Sequence, residues 1–135
     1  MANALYTFGL ENLLGGDIDW DANNIKLVLI DEATDAPNLA TDDALDDIAA
    51  GAREATSGNL ASKTKTGGVA DAADLTFTAV PGGPAIASGT HYKDSGTEST
   101  SFLICNHDTG TGLPVTPNGG DIIWAHNASG IFSLA

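Results

Sequence analysis

Turn signals divide this chain more regularly than any other feature in it. Gly15-Gly16 closes the opening segment, and from Gly67-Gly68 onward Pro81-Gly82-Gly83-Pro84, Asp94-Ser95-Gly96, Thr109 to Gly112 and Pro117-Asn118-Gly119-Gly120 leave only short segments between them. Glycine supplies positive φ and proline fixes φ while removing a donor, so such clusters end regular structure. Segments of about ten residues between breaks have the size of strands joined by turns. The fold expected is therefore mainly β, an antiparallel sandwich or small barrel, not a parallel sheet, whose crossovers need about a dozen residues or more.

The apolar pattern fits this frame. Ile25-Lys26-Leu27-Val28-Leu29-Ile30 reads as a strand with Ile25, Leu27 and Leu29 on a core face, and Lys26, Val28 and Ile30 on a second face that something else can cover. Leu75-Thr76-Phe77-Thr78-Ala79 alternates, with Leu75, Phe77 and Ala79 inside. Further strands are expected at 53–57, 59–66, from Val69 onward, and at 85–93, 100–107, 121–126 and 130–134. One short helix is expected over residues 4–14, where Tyr6, Leu10, Leu13 and Leu14 share a face, with Gly9 a weak point and Gly15-Gly16 the stop. A helical turn capped by Thr41 would turn Leu45 and Ile48 inward. The 135 residues read as a single β-rich domain, 1–135, with strands and turns over 25–134.

Charge narrows the function. Eighteen acidic residues, 14 Asp and 4 Glu, face five basic ones, for a net charge of -13. That surface repels phosphate, so no nucleic-acid partner is expected, and no anionic membrane. Apolar residues at 42% distinguish the chain from acidic disordered segments. Cys105 is the single cysteine, which excludes an intrachain disulfide and a cysteine-rich zinc site. No apolar window approaches the roughly 20 residues that span a bilayer, and the first residues lack a signal-peptide pattern, so synthesis in a cytoplasm is expected.

Several clusters could carry chemistry. Asp17, Asp19, Asp21 and Asn23 alternate like the opening of a calcium loop, but Ala22 and Val28 stand where an EF-hand needs glycine and glutamate; they remain the weak metal candidates, against a solvated acidic turn. Asp42, Asp43, Asp46 and Asp47 form a second acidic group that reads as a solvated face. Cys105 and His107 fall on one side of an extended segment, and His91 and His126 could complete a site with them, yet no spacing demands it and ordinary packing is the simpler reading. No nucleophile elbow, phosphate loop or dinucleotide fingerprint occurs, so no enzyme, catalytic residue or cofactor is expected. Arg53, the lone arginine, suits one specific ion pair, internal or at an interface.

An ordered set of segments resembles a family of small virion-associated structural proteins of tailed bacteriophages. They are Ile18-Asp19-Trp20 with Ile25 to Asp31, Asp46 to Arg53 with Ala55-Thr56-Ser57, Asp71 to Phe77, Tyr92-Lys93-Asp94-Ser95-Gly96, and Leu113 to Ile122, followed by Ile131-Phe132. The resemblance covers about residues 5 to 134 and implies a capsid decoration or cement protein. Its expected partner is the major capsid protein lattice on the outer virion surface, where it would sit as a homo-oligomer. No catalytic residue is carried over. Ser88-Gly89-Thr90-His91 stands where that pattern has an apolar strand, and weighs against burial there; Cys105-Asn106-His107 replaces a less polar strand end. Tyr6, Trp20 and Arg53 are the interface candidates, because these residue types dominate hot spots. The alternative is a tail-associated fibre or baseplate module binding host glycans, which the aromatic content of 6% disfavours.

Overall fold

The computed structural model describes residues 4–109 and 112–134. Ala4–Leu5 forms strand β1 and Thr7–Gly15 helix α1; β2 is Ile25–Ile30, and short 3-10 turns at Leu45–Asp47 and Ala50–Ala52 lead into β3, Arg53–Thr56. Val69–Ala70 is β4, Leu75–Phe77 β5, Ser88–Lys93 β6, Leu103–His107 β7, Ile122–Trp124 β8 and Phe132–Ser133 β9. Residues 110 and 111, inside the turn expected from Thr109 to Gly112, lie outside the described residues.

The mainly β, antiparallel class expected from the turn spacing is observed, with one helix. Five strands pair in the order β1-β7-β6-β2-β3, and β4–β9 and β5–β8 form separate two-stranded ribbons. The five-stranded sheet is open, with β1 and β3 at its edges. Both faces are covered. On the ribbon face, Leu27 and Leu29 pack with Phe77, Val80 and Ile86, and Ile25 with Trp20, Ala70 and Ile131. On the opposite, turn face, Val28, Ile30, Tyr92 and Leu103 pack with Tyr6, Ile48 and Ala52.

Strand β6 explains why a polar-looking segment is interior. It lies between β2 and β7, and Ser88, Gly89, Thr90, His91 and Tyr92 are all buried. The departure that weighed against burial is thus corrected: a central strand covered on both faces has no solvent side, and its polar side chains bond to Tyr6, Asn106, Cys105 and His126 on neighbouring elements.

Helix α1 also differs from expectation. Leu10 and Leu14 are exposed and Leu13 half-buried, while Gly9 is buried. A Cβ on Gly9 would lie 2.6 Å from the Leu103 carbonyl oxygen and 2.7 Å from that of Ile104. The helix therefore docks backbone to backbone on β7, just past the point where β1 stops pairing, and its leucine stripe is not what holds it. Glycine costs a helix about 1 kcal/mol relative to alanine; here the close approach requires it. The stop is as read, since Gly16 adopts φ 83° and its N–H reaches the Asn12 carbonyl.

Other boundaries shift for local reasons. The strand expected at 59–66 is absent among the described residues, where Ser62 at φ 55° breaks the extended run. Strand β5 ends at Phe77 because Ala79 turns at φ 50°; Ala79 is exposed and Val80 takes the inward place. Thr41 caps nothing: the 3-10 turn begins after Ala44, which has no side-chain cap, although Ile48 does point inward.

Candidate metal centre

The β6–β7 register brings His91 to Cys105 and His107, and a fourth residue, His126, joins them from beyond β8. His91 stands directly opposite Cys105, and His107 follows two positions along β7 on the same, ribbon face. A register shift between His91 and Tyr92 places Ile104 as an extra residue in β7, so Leu103 packs with the turn-face core and both Ile104 and Cys105 with the ribbon-face core. His126 arrives two residues beyond Trp124 of β8, held by its own N–H donating to Asp74 Oδ1 at 2.8 Å.

Cys105 Sγ lies 3.6 Å from His91 Nδ1 and 3.5 Å from His107 Nε2. His91 and Cys105 are fully buried, and the His126 side chain is 3% exposed. Trp20 walls the group edge-on, 6.4 Å from His91 between ring centroids, and itself stacks edge-on with Phe132. Gly89 makes room for the other wall, since a Cβ there would come 2.7 Å from the Trp124 ring.

The proton positions follow from a carbonyl that can only accept. His126 Nδ1–H donates to the Ala72 oxygen at 3.2 Å, which leaves His126 Nε2 as an acceptor. His91 Nε2–H then donates to it at 3.1 Å, and the bare Nδ1 of His91 faces the Cys105 sulfur. Burial holds His91 well below the ordinary imidazole pKa, reinforced by His107 and His126. Burial lowers His107 likewise and pushes the Cys105 thiol up. Burial thus favours the uncharged forms of His91, His107 and Cys105, and a ring nitrogen of each of these histidines faces the sulfur. Two cavities abut the group: one of about 250 Å³ lined by Leu5, Cys105, His107, Ile131 and Phe132, and one of about 480 Å³ that His107 and His126 share with Leu29, Leu113 and Trp124.

Three of the four weak calcium candidates are held in hydrogen bonds or an ion pair. Asp19 Oδ1 accepts from the N–H groups of Asp21 and Ala22, Asn23 Oδ1 accepts from Asp19 N–H, and Asp21 pairs with Lys65 at 3.0 Å. Asp17, which follows the helix stop, is exposed. The hydrogen bonds of Asp19 and Asn23 lie within the turn itself. Asp43, Asp46 and Asp47 do lie together, all exposed, with Asp47 accepting from the Asp43 N–H at 2.8 Å. Asp42 accepts from Asn38 N–H instead, and no helix aligns it with Asp46.

Two of the three interface candidates, Tyr6 and Trp20, are buried, and the third, Arg53, is half-buried in an ion pair that reaches the surface. Tyr6 is fully buried and its hydroxyl is hydrogen-bonded to Thr90 at 2.8 Å, because it fills the turn-face core. Trp20 is buried and donates from Nε1 to the Thr64 carbonyl at 3.1 Å. Arg53 binds Glu98 through both terminal nitrogens, at 2.9 and 3.0 Å, and gives Nε–H to the Ile48 carbonyl. Of the two places its solitude left open, internal or interface, the structure shows an ion pair within the chain.

No protein-family model matches the chain, and no curated protein matches it either.

Proposed function

We propose that the protein is a non-enzymatic structural subunit of a tailed-bacteriophage virion, a decoration or cement protein bound to the outer surface of the assembled head. The observation that carries this reading is the ordered set of segments, from Ile18-Asp19-Trp20 to Ile131-Phe132, that resembles such virion proteins along nearly the whole chain. A net charge of -13 supports it, since such a surface keeps free subunits apart and away from packaged DNA. So does the burial of Cys105, whose raised pKa makes it a poor nucleophile.

With Tyr6 and Trp20 buried and Arg53 paired to Glu98, attachment falls to exposed apolar side chains. Leu14 of α1 is 77% exposed and Ile123 of β8 72%, each an interruption in the acidic coat. The partner is the lattice of major capsid protein, on which copies of this chain form a symmetric homo-oligomeric layer after synthesis in the host cytoplasm. Binding only to the assembled lattice lowers its free energy relative to ruptured forms, and many weak copies suffice. The test is imaging and gel analysis of purified particles. The protein is expected on the shell, with particles lacking it rupturing sooner under heat or osmotic shock; its absence from the shell, or confinement to the tail, overturns the proposal.

A further inference from the structure

We propose that His91, Cys105 and His107 form a binding site for one thiophilic transition-metal ion of the zinc type, with His126 as the group that orients His91. This is independent of the virion reading. In tetrahedral zinc sites the metal–sulfur and metal–nitrogen bonds of about 2.3 and 2.0–2.1 Å put sulfur and nitrogen about 3.5 Å apart. The two sulfur–nitrogen separations here are 3.5 and 3.6 Å, and the ligand atoms of all three residues lie within 4.8 Å of one another. Thiolate with imidazole selects zinc, or copper(I), over magnesium and calcium, which take oxygen.

The hydrogen-bond chain behind His91 is what a metal ligand needs. A ligating imidazole gives its other ring N–H to an acceptor, which fixes tautomer and ring plane. His91 does this toward His126, and His126 in turn toward the Ala72 carbonyl, so the nitrogen facing the sulfur has a free lone pair. The cavity beside Cys105 and His107 has room for a water as fourth donor. On binding, the Cys105 proton is released to solvent and the thiolate takes the metal. The ion would fasten β6 to β7 at the centre of the sheet.

The competing arrangement is a metal-free relay, His107 N–H to sulfur and S–H to His91. Chelator-dialysed protein titrated with cobalt(II) separates the two. The expected result is one equivalent bound, visible bands of tetrahedral intensity, and a near-ultraviolet thiolate-to-cobalt charge-transfer band, all displaced by one equivalent of zinc. Zinc at a hundredfold excess over its Kd should raise the melting temperature by on the order of 10 °C. Cys105→Ser should abolish the charge-transfer band, and His126→Gln should weaken zinc binding about 10–100-fold while keeping that band. Asp43→Asn with Asp47→Asn should change nothing. Absence of the band in the folded wild-type protein, zinc binding that survives Cys105→Ser unchanged, or its loss in the Asp43/Asp47 variant would each overturn the proposal, and the wild-type spectrum decides the matter even where a variant fails to fold.

Discussion

The two faces of the β6–β7 pair each bury a polar group, and they resolve it in opposite ways. On the turn face, Thr90 Oγ1 is bonded to the Tyr6 hydroxyl at 2.8 Å and receives Asn106 Nδ2–H at 3.0 Å, and a second Asn106 hydrogen goes to Ser88 Oγ at 3.1 Å. Hydroxyls and an amide consume one another there, with Asn106 Oδ1 the one buried atom left over. On the ribbon face, a thiol and imidazoles face one another, and release of the thiol proton would open their lone pairs to a cation. A buried polar group costs free energy unless it is paired. The turn face meets that cost with groups that fit only each other; the ribbon face meets it with groups that also fit a cation. The same two strands thus carry a structural lock on one side and a ligand-ready cluster on the other, set apart only by side-chain alternation.

The largest expected effect tests what closes the lock. Gly9→Ala drives a Cβ into two backbone oxygens of β7, which cannot step aside as a side-chain tip could. Overpacking typically costs 1–3 kcal/mol. A loss of about 3 kcal/mol, read by urea unfolding, is expected, as α1 lifts and draws Tyr6 away from Thr90. A loss under about 1 kcal/mol would show that α1 is not what seals the turn face.

Next is the lock itself. Thr90→Val keeps shape but strips the hydroxyl that serves both Tyr6 and Asn106. Leaving a buried donor unsatisfied costs about 1–3 kcal/mol, so about 2 kcal/mol is expected. The Tyr6 hydroxyl, whose pKa burial already raises, would lose the bond that opposes that rise. A neutral result would mean that the network is decorative.

On the ribbon face the counterpart is Gly89→Ala. The new methyl meets the far edge of Trp124, a ring that can shift, so the expected cost is smaller, about 1–2 kcal/mol. Because Trp124 leads into His126, its displacement should also loosen the His126 to His91 bond. A changed tryptophan emission together with weaker zinc binding would sharpen the contrast between the faces; unaltered binding would place the His126 segment under separate control.

How much of this could be read beforehand differs between the faces for a physical reason. The Ile25–Ile30 strand was legible, and both of its faces are as alternation predicts, because each side chain's direction is a local property. The turn-face network was not, since Tyr6 and Thr90 are 84 residues apart and their meeting depends on pairing. The histidine–cysteine cluster falls between. Cys105 and His107 are legible as neighbours on one face, two apart, and His91 and His126 are the only other histidines, but the His91 to Cys105 register that unites them is a tertiary fact. The leucines of α1 misled because periodicity records apolar side chains and is silent on a helix that docks through the absence of one, at Gly9. Trp20 and Tyr6 suggest an interface by residue type, which alone does not distinguish a hot spot from a core.

The smallest effect lies at the rim of the turn face, where Lys26, opposite Tyr92 in the register, reaches Asp94 at 2.8 Å. Lys26 and the N–H of Gly96 hold the Asp94 carboxyl below its ordinary pKa. A pKa lower in the folded than in the unfolded chain stabilises the fold in full above the unfolded value, near 3.9 for aspartate, and that contribution disappears as pH falls through the folded value. Asp94→Asn should therefore cost a constant amount at pH 6 to 8, about 0.5 kcal/mol for a solvent-accessible pair, and nothing once the pH is well below 4. Thermal melts of both proteins across that range read the gap. Salt should shrink it, whereas the buried Thr90 network one turnover of the strand away should ignore both salt and acid. A gap that persisted at pH 2 would mean that Asp94 acts through the Gly96 turn it shapes and not through its charge, which would make the rim, like the lock behind it, a matter of fit.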